Sequence, residues 1–442
     1  MKRLLGEAGF FAYLDTLNQP YTRALRVNLL LRPDGTPPCP IEGLGAPVPW
    51  AKGAYFVEGD ARPGLSPLHE GGLFYMQEPS ALTAVTALDP QPGERVLDLC
   101  AAPGGKSTQI AALMAGRGLL CCNEPIPSRA QILSRNIERM GVRNAVVLSA
   151  MPDALAPRFP AFFDRILVDA PCSGEGMFRR QPEARDEWDA DAPRRCADRQ
   201  MEILAQAAKM LRPGGTMVYS TCTFNDTENE GVLKRFLALH PEFSLVPFAL
   251  PGLPEAKDGY LHLYPHEMRG EGHFVSRLKK ADGADEADAP VQAAPQRKAP
   301  ARAAAKGKAP APIALPDVFS DAFAPERLYT AGDALWMLPE GISIERLSGL
   351  RVLRTGLLLA HAEGKRSEPD HALAMALRPE EAARTASLTQ TQALAYQAGE
   401  TLSLGDLPGG YTLLCCEGVS LGWGKQAGGL MKNHYPKGLR RR

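Results

Sequence analysis

The sequence predicts an α/β protein built on a doubly wound, mostly parallel sheet of seven strands, with a small N-terminal α+β module and a β-rich C-terminal module. Three observations predict it. From residue 95 to 220, short apolar, β-branched runs alternate with helical patterns, the rhythm of stacked β–α–β units. The first run opens into Cys100-Ala101-Ala102-Pro103-Gly104-Gly105-Lys106, a turn of small residues leading into a helix. Two later runs each end close to a cysteine, Cys172 and Cys222, where an open parallel sheet collects its ligands.

Taken in order, residues 1–70 are mixed and rich in turns and form the N-terminal module. Strands are expected at 96–99, 119–122, 145–148, 166–168 and 217–219, with 243–246 and 273–278 closing a sheet domain that spans 71–280. Helices begin near Ser107, Ser128 and Pro193. The last runs through Met201, Leu204, Ala208 and Leu211 at helical spacing until Pro213-Gly214-Gly215 stops it. Asn225 and Asp226 are placed to cap the next helix. Between 281 and 316, 20 of 36 residues are Ala or Pro and none is aromatic. Such a segment buries too little apolar surface to offset its chain entropy and reads as a flexible linker. Residues 317–442 return to short, turn-punctuated apolar runs at 350–353, 357–360 and 411–416, the β-rich module.

With 442 residues the chain has room for two or three domains. Its 50 Lys and Arg balance 50 Asp and Glu, so any nucleic-acid surface must come from local clustering rather than a basic average. Nine cysteines, with adjacent pairs at 121–122 and 415–416 and no Cys-x-x-Cys, argue against a disulfide framework and a thiolate zinc site. No metal is expected, and a reducing cytoplasm is the expected compartment. Lys2 and Arg3 are followed by Glu7 before any long apolar run, and no stretch approaches membrane-spanning length. Neither export nor a membrane partner is expected.

The small-residue turn lets a ligand lie against bare backbone. Gly105-Lys106-Ser107 approaches the phosphate loop of a triphosphatase, but that loop needs a glycine where Cys100 stands. Pro103 and Lys106 break the dinucleotide-binding spacing. Glu124 follows the second strand, where a carboxylate accepts both hydroxyls of a ribose; a first-turn helix acid is the plainer alternative. Asp153, after the third strand, either accepts from an adenine amine or caps a turn. Carboxylates for ribose and adenine without a phosphate loop point to S-adenosyl-L-methionine. Two cysteines at neighbouring strand ends, with Asp169 just ahead of Cys172 in Asp169-Ala170-Pro171-Cys172, point to covalent chemistry rather than core packing.

These residues closely resemble the Sun-type RNA (cytosine-5)-methyltransferase family. The matching text is Asp98 through Lys106, Asp169-Ala170-Pro171-Cys172-Ser173-Gly174 and Ser220-Thr221-Cys222, in the family's order and spacing. Arg26-Val27-Asn28, Gln77-Glu78-Pro79-Ser80, Gly272-His273-Phe274-Val275 and the C-terminal Gly422-Trp423-Gly424-Lys425 also match. The tail from Lys432 to Arg440, with Gly174 to Arg180, resembles the RsmF-type bacterial enzymes that modify 16S small-subunit ribosomal RNA. The resemblance implies a Rossmann-like class I methyltransferase sheet and a PUA-like C-terminal module. It also implies an S-adenosyl-L-methionine site formed by Cys100, Ala101, Ala102, Pro103, Gly104, Gly105, Lys106, Glu124, Asp153 and Asp169.

Cytosine carbon 5 is too weak a nucleophile to take a methyl group unaided. A thiolate adding at carbon 6 makes it electron-rich. Asp169 is positioned to stabilise the adduct through the ring nitrogen 3 or the exocyclic amine, and the second cysteine serves as a base or helper for the elimination. An ordinary thiol is only slightly ionised at neutral pH, and Lys106 supplies the nearby positive charge. The residues alone leave open which cysteine attacks. A Pro-Cys pair after the fourth strand, as at Cys172, is how DNA cytosine methyltransferases present their nucleophile; the family resemblance assigns Cys222 and leaves Cys172 the helper.

The partner the resemblance implies is ribosomal RNA or the small subunit, bound by a monomer. The last twenty residues carry Lys425, Lys432, Lys437 and Arg440 to Arg442 with no acid, interleaved with Trp423, His434 and Tyr435, cations for phosphates and rings for bases. Arg179 and Arg180 are placed to contact the backbone flanking the target base. Transfer RNA as substrate, and a ribosome-assembly factor that binds RNA without turnover, are the competing readings.

Overall fold

A computed structural model describes residues 1–283, 313, 317–318, 325–363 and 366–441. Apart from 281–283 and 313, the linker expected at 281–316 lies outside the described residues. The helix Lys2–Leu17 leads into an antiparallel sheet of β1 (Ala24–Val27), β2 (Leu44–Pro47), β3 (Ala54–Val57) and β4 (Phe74–Met76), ordered β2-β3-β1-β4. Its fourth strand lies past residue 70, the boundary expected from sequence.

The central sheet takes β5 (Arg95–Asp98), β6 (Leu119–Asn123), β7 (Ala145–Leu148), β8 (Phe163–Asp169), β9 (Leu211–Thr221), β10 (Phe243–Leu245), β11 (Tyr260–Leu263) and β12 (His273–Lys280). Every residue of β6 and β7 is buried. Continuous apolar text, rather than alternation, is what a strand covered on both faces requires. The covering helices show the matching period: Ala130, Leu133 and Ile137 are the buried residues of Pro127–Arg139. The order is β10-β12-β9-β8-β5-β6-β7, with β5 to β9 parallel and β12 antiparallel to β9. All seven predicted strands are present, and two more join them. β11 pairs with β12. The other comes from the far side of the linker.

The C-terminal region contains β13 (Leu328–Ala331), β14 (Ala334–Met337), β15 (Val352–Arg354), β16 (Leu357–Glu363), β17 (Arg366–Pro369), β18 (Thr385–Ser387), β19 (Gly410–Cys416), β20 (Val419–Ala427) and β21 (Leu430–Asn433). Two four-stranded sheets form, β13-β14-β16-β17 and β18-β19-β20-β21. The apolar run at 350–353, expected in this module, instead puts β15 antiparallel against β7. It covers what would be a bare sheet edge, and Arg354 reaches Glu138 on the neighbouring helix. Tyr396, Leu414 and Leu421 share a core with Leu25, Val27 and Phe74 of the first module, and Gln397 Nε2 donates to the Pro67 carbonyl at 3.0 Å. The C-terminal module thus packs on both preceding ones.

Three local expectations are corrected. The helix that begins at Ala192 ends at Met210, not at Pro213-Gly214-Gly215, which lie within β9. Lys280 Nζ donates to the carbonyls of Ala208 and Leu211 at 2.8 and 2.9 Å and satisfies the helix end. Asn225 and Asp226 do not cap the following helix, which runs Glu230–Leu239; Asn225 is drawn into the loop network described below. Nor are Trp423 and Tyr435 free for stacking. Trp423 is 2 % exposed, with its Nε1–H on the Asp370 carbonyl at 2.9 Å, and Tyr435 packs edge-on against His371 and Tyr396. The β19–β20 pairing turns the Trp423 ring inward to the core, a contact that its basic neighbours in sequence did not signal. Trp423→Ala should therefore cost about 3–5 kcal/mol of stability in denaturant unfolding; a loss below about 1 kcal/mol would contradict a core role.

Candidate active site

β8 and β9 run parallel with Asp169 opposite Ser220, so the chain leaves both strands at one edge of the sheet. Cys172 and Cys222 are carried out together, and their Sγ atoms stand 3.3 Å apart as free thiols. The loops that bear them are fastened to each other. Gly176 N–H donates to the Cys222 carbonyl at 2.8 Å, Ser173 Oγ meets Thr223 Oγ1 at 2.9 Å, and Glu175 Oε2 accepts from the N–H groups of Phe224 and Asn225 at 2.8 and 3.0 Å. From the other side Glu228, fully buried, accepts from Ser173 N–H at 3.0 Å and from the Gln200 and Asn225 side chains at 2.8 and 2.9 Å. Sequence reasoning missed the roles of Glu175 and Glu228. Their one signal was an acid a few residues past each cysteine.

Asp169 is the electrostatic centre. Lys106 Nζ donates to Oδ2 at 2.8 Å, Ser220 Oγ donates to Oδ1 at 2.8 Å, and His273 Nε2 lies 3.5 Å from Oδ1. Burial alone would push this carboxyl up; the Lys106 ammonium, and then His273, outweigh it and hold it well below the usual carboxylate range. The Lys106 ammonium is raised in turn, because Asp169 outweighs its own desolvation. Cys172 is pushed well above the ordinary thiol range by its contact with Cys222, by burial and by Glu228. His273, 2 % exposed and buried among these groups, has no role assigned by the sequence.

The small-residue turn passes beside this pair. Gly104, at φ +114°, begins the helix Gly105–Leu113, and Ser107 Oγ at 2.6 Å holds Asp98 Oδ2 beneath it. Burial raises Asp98 to about 7. Arg26, 1 % exposed, fixes the turn from below through Thr108 Oγ1 at 2.9 Å and the Gly105 carbonyl at 3.3 Å. Together these parts enclose a cavity of about 270 Å³, walled by Cys100, Ala101, Ala102, Pro103, Gly105 and Lys106, by Tyr75 and Gln77, and by Asp169, Cys222 and His273.

Gly104, Cys172, Glu124 and Asp153 are not among its walls. Cys172 sits directly behind Cys222. Glu124 is buried at the end of β6, accepts from Ile126 N–H at 3.0 Å and faces Arg129 at 3.3 Å. Asp153 is exposed in the first turn of Pro152–Leu155. Arg179 is corrected: it is buried in a two-point pair with Glu271, at 2.6 and 2.7 Å, and donates to the carbonyls of Thr16 and Gly270. It ties the N-terminal helix to the site and does not face RNA. Arg180 lines the cavity, with its guanidinium 5.9 Å from the Tyr21 ring centre. Among the described residues no cluster of metal-ligating side chains occurs, and no helix is long and apolar enough to cross a membrane.

Four family models tile the chain: the N-terminal domain of 16S rRNA methyltransferase RsmF over residues 1–79, 16S rRNA methyltransferase RsmB/F over 85–279, the RsmF rRNA methyltransferase first C-terminal domain over 316–377 and the methyltransferase RsmF PUA domain over 383–441. Ribosomal RNA small subunit methyltransferase F of Erwinia tasmaniensis is 34% identical over 463 residues, covering 99% of this chain and 95% of that protein. The chain belongs to the RsmF family. The protein of the same name from Escherichia coli is 33% identical over 451 residues, covering 97% of this chain and 92% of its own length. Among solved structures, a methyltransferase homologue from Pyrococcus horikoshii matches 63% of this RsmF-family chain and 97% of its own at 29% identity and TM-score 0.52. NSun6 from the same organism, solved with SFG, shares the fold over 64% of this chain and 97% of its own at 22% identity and TM-score 0.54.

The depressed Asp169 carboxyl stabilises this RsmF-family fold above the ordinary carboxylate pKa of about 4, and that contribution is lost as pH falls through the lower folded value. Lys106→Met removes the largest of the pulls that hold the carboxyl down. The variant's stability deficit against wild type should be at its full size above about pH 4 and shrink as pH falls below about 4 in urea unfolding; a deficit constant with pH would contradict this pairing.

Proposed function

We propose that the protein transfers a methyl group from S-adenosyl-L-methionine to carbon 5 of a cytosine in 16S small-subunit ribosomal RNA through a covalent adduct of Cys222 with carbon 6. The observation that carries this reading is the meeting of Cys172 and Cys222 at 3.3 Å beside an ionised Asp169–Lys106 pair. The cofactor fits the residues present. The turn offers it small side chains and backbone, and a Cβ at Gly105 would come within 3.3 Å of Gln77 and Tyr75 across the cavity. Cys100 to Lys106 would hold it, with Asp169 complementing its positive sulfonium, Glu124 its ribose and Asp153 its adenine. When bound, it supplies an electrophilic methyl group.

The protein's own groups do the rest. Cys172 is kept a thiol by its contact with Cys222 and by burial, and the family resemblance gives the attack to Cys222, whose Sγ lies 3.3 Å away in the cavity wall. A carboxylate held as strongly ionised as Asp169 accepts from the exocyclic amine of cytosine; it does not protonate nitrogen 3. The negative charge that nucleophilic addition places on the ring falls instead to the Lys106 ammonium. When the adduct breaks, Cys172 is the proton donor beside the departing Cys222 thiolate. The base must leave its stack to reach this cavity, at a cost of a few kcal/mol that is smallest in loosely paired RNA. We assign the grip on the rest of the RNA to Arg180 and to the exposed Lys432 and Lys437 of the C-terminal module.

Methyl transfer from labelled cofactor to unmodified small-subunit RNA and to assembled subunits tests this. Wild type should methylate one of them, and Cys222→Ala should lose at least about 1,000-fold of the rate. Cys172→Ala should accumulate an RNA–protein adduct on a denaturing gel. Adduct formation by Cys222→Ala would refute the assignment, and transfer only to transfer RNA would refute the substrate.

A further inference from the structure

Elimination from a carbon-5-methylated adduct requires a base for the carbon-5 proton, and the groups assigned so far are unsuited to it. Both oxygens of Asp169 already accept hydrogen bonds and its carboxyl is held ionised, which makes it a weak base. Lys106 is an ammonium, Cys172 keeps its proton because Cys222, burial and Glu228 raise it, and Tyr75 keeps its own because burial outweighs the nearby arginines. Of the acids in the cavity wall, Glu271 is consumed by Arg179 and Thr22 N–H, and Glu78 by Ser80, Ala81 and Glu271 N–H.

His273 differs from all of them. It lines the same cavity as Asp169, Lys106 and Cys222, only 2 % of it is exposed, and its buried Nε2 makes no short hydrogen bond, facing Asp169 Oδ1 at 3.5 Å. We propose that His273 is the base that removes the carbon-5 proton, an inference that rests on the cytosine-methylation reading above. The carbon-5–hydrogen bond breaks, its electron pair restores the ring's 5,6 double bond, and the bond from carbon 6 to Cys222 Sγ breaks with the sulfur keeping its pair. The proton passes to His273, and Asp169 Oδ1 at 3.5 Å faces the imidazolium that forms. Before that step the ring is a neutral acceptor: burial first, then Lys106, hold it below its ordinary pKa, against the pull of Asp169 and Glu78.

His273→Gln keeps a polar side chain of similar reach that takes no proton, and His273→Asn serves as a second variant. Both are assayed on cytosine RNA and on RNA with 5-fluorocytosine at the target, whose adduct has no carbon-5 proton to lose. With fluorinated RNA, wild type and variants should trap a methylated adduct at equal rates. With cytosine RNA, the variants should accumulate that same adduct while turnover falls by about 100-fold or more, and the acid limb of the wild-type kcat profile should vanish. Loss of trapping on fluorinated RNA in step with turnover, or turnover within about threefold of wild type, would overturn the role. Failure of wild type itself to trap fluorinated RNA would overturn the cytosine reading and this inference together.

Discussion

The pairing of Lys106 with Asp169, both partly withdrawn from solvent, constrains everything around it. A carboxylate at the end of β8 and an ammonium at the start of the helix after β5 are each costly to desolvate unless they meet with good geometry. They do so at 2.8 Å, with Ser220 satisfying the second oxygen. That arrangement fixes the distance between the small-residue turn and the cysteine-bearing edge of the sheet. It also sets the charge state of the groups nearby. Burial and the Lys106 charge hold the His273 ring below its ordinary pKa against the pull of Asp169, so a neutral imidazole faces the cavity beside an ammonium.

The cysteine loops are organised by a different means. No disulfide or metal joins them among the described residues. Glu175 and Glu228 instead gather backbone N–H groups from the opposing loop, so that each carboxylate braces two segments. Charge-assisted bonds to backbone are stronger than neutral ones, and here they fasten the two loops whose sulfurs stand 3.3 Å apart. Around this core, Arg179 ties the first helix to Glu271, and β15 with the shared core of Leu25 and Leu414 binds the C-terminal module to the other two.

Much of this was legible in the text of the chain. The seven predicted strands and both cysteines came from apolar runs and the residues that end them, because a strand buried on both faces writes its burial directly into composition. The parts that escaped depend on contacts distant in sequence. A lone run such as 350–353 does not announce that it will pair with β7, and Trp423 among basic residues reads as a stacking ring until β19 and β20 turn it inward. Arg179 read as an RNA contact because its partner, Glu271, is 92 positions away. His273 carried no pattern beyond its place in a strand; only the register of β12 against β9 brings it beside Asp169.

The ionisation of Asp169 is open to direct observation by carbon-13 NMR of protein labelled at aspartate carboxyls, with Asp169→Asn to assign the resonance. The carboxylate shift of Asp169 should stay unchanged from about pH 8 down to about pH 4. A titration step for that resonance within this range would contradict it, and with it the division of labour among Asp169, Lys106 and His273.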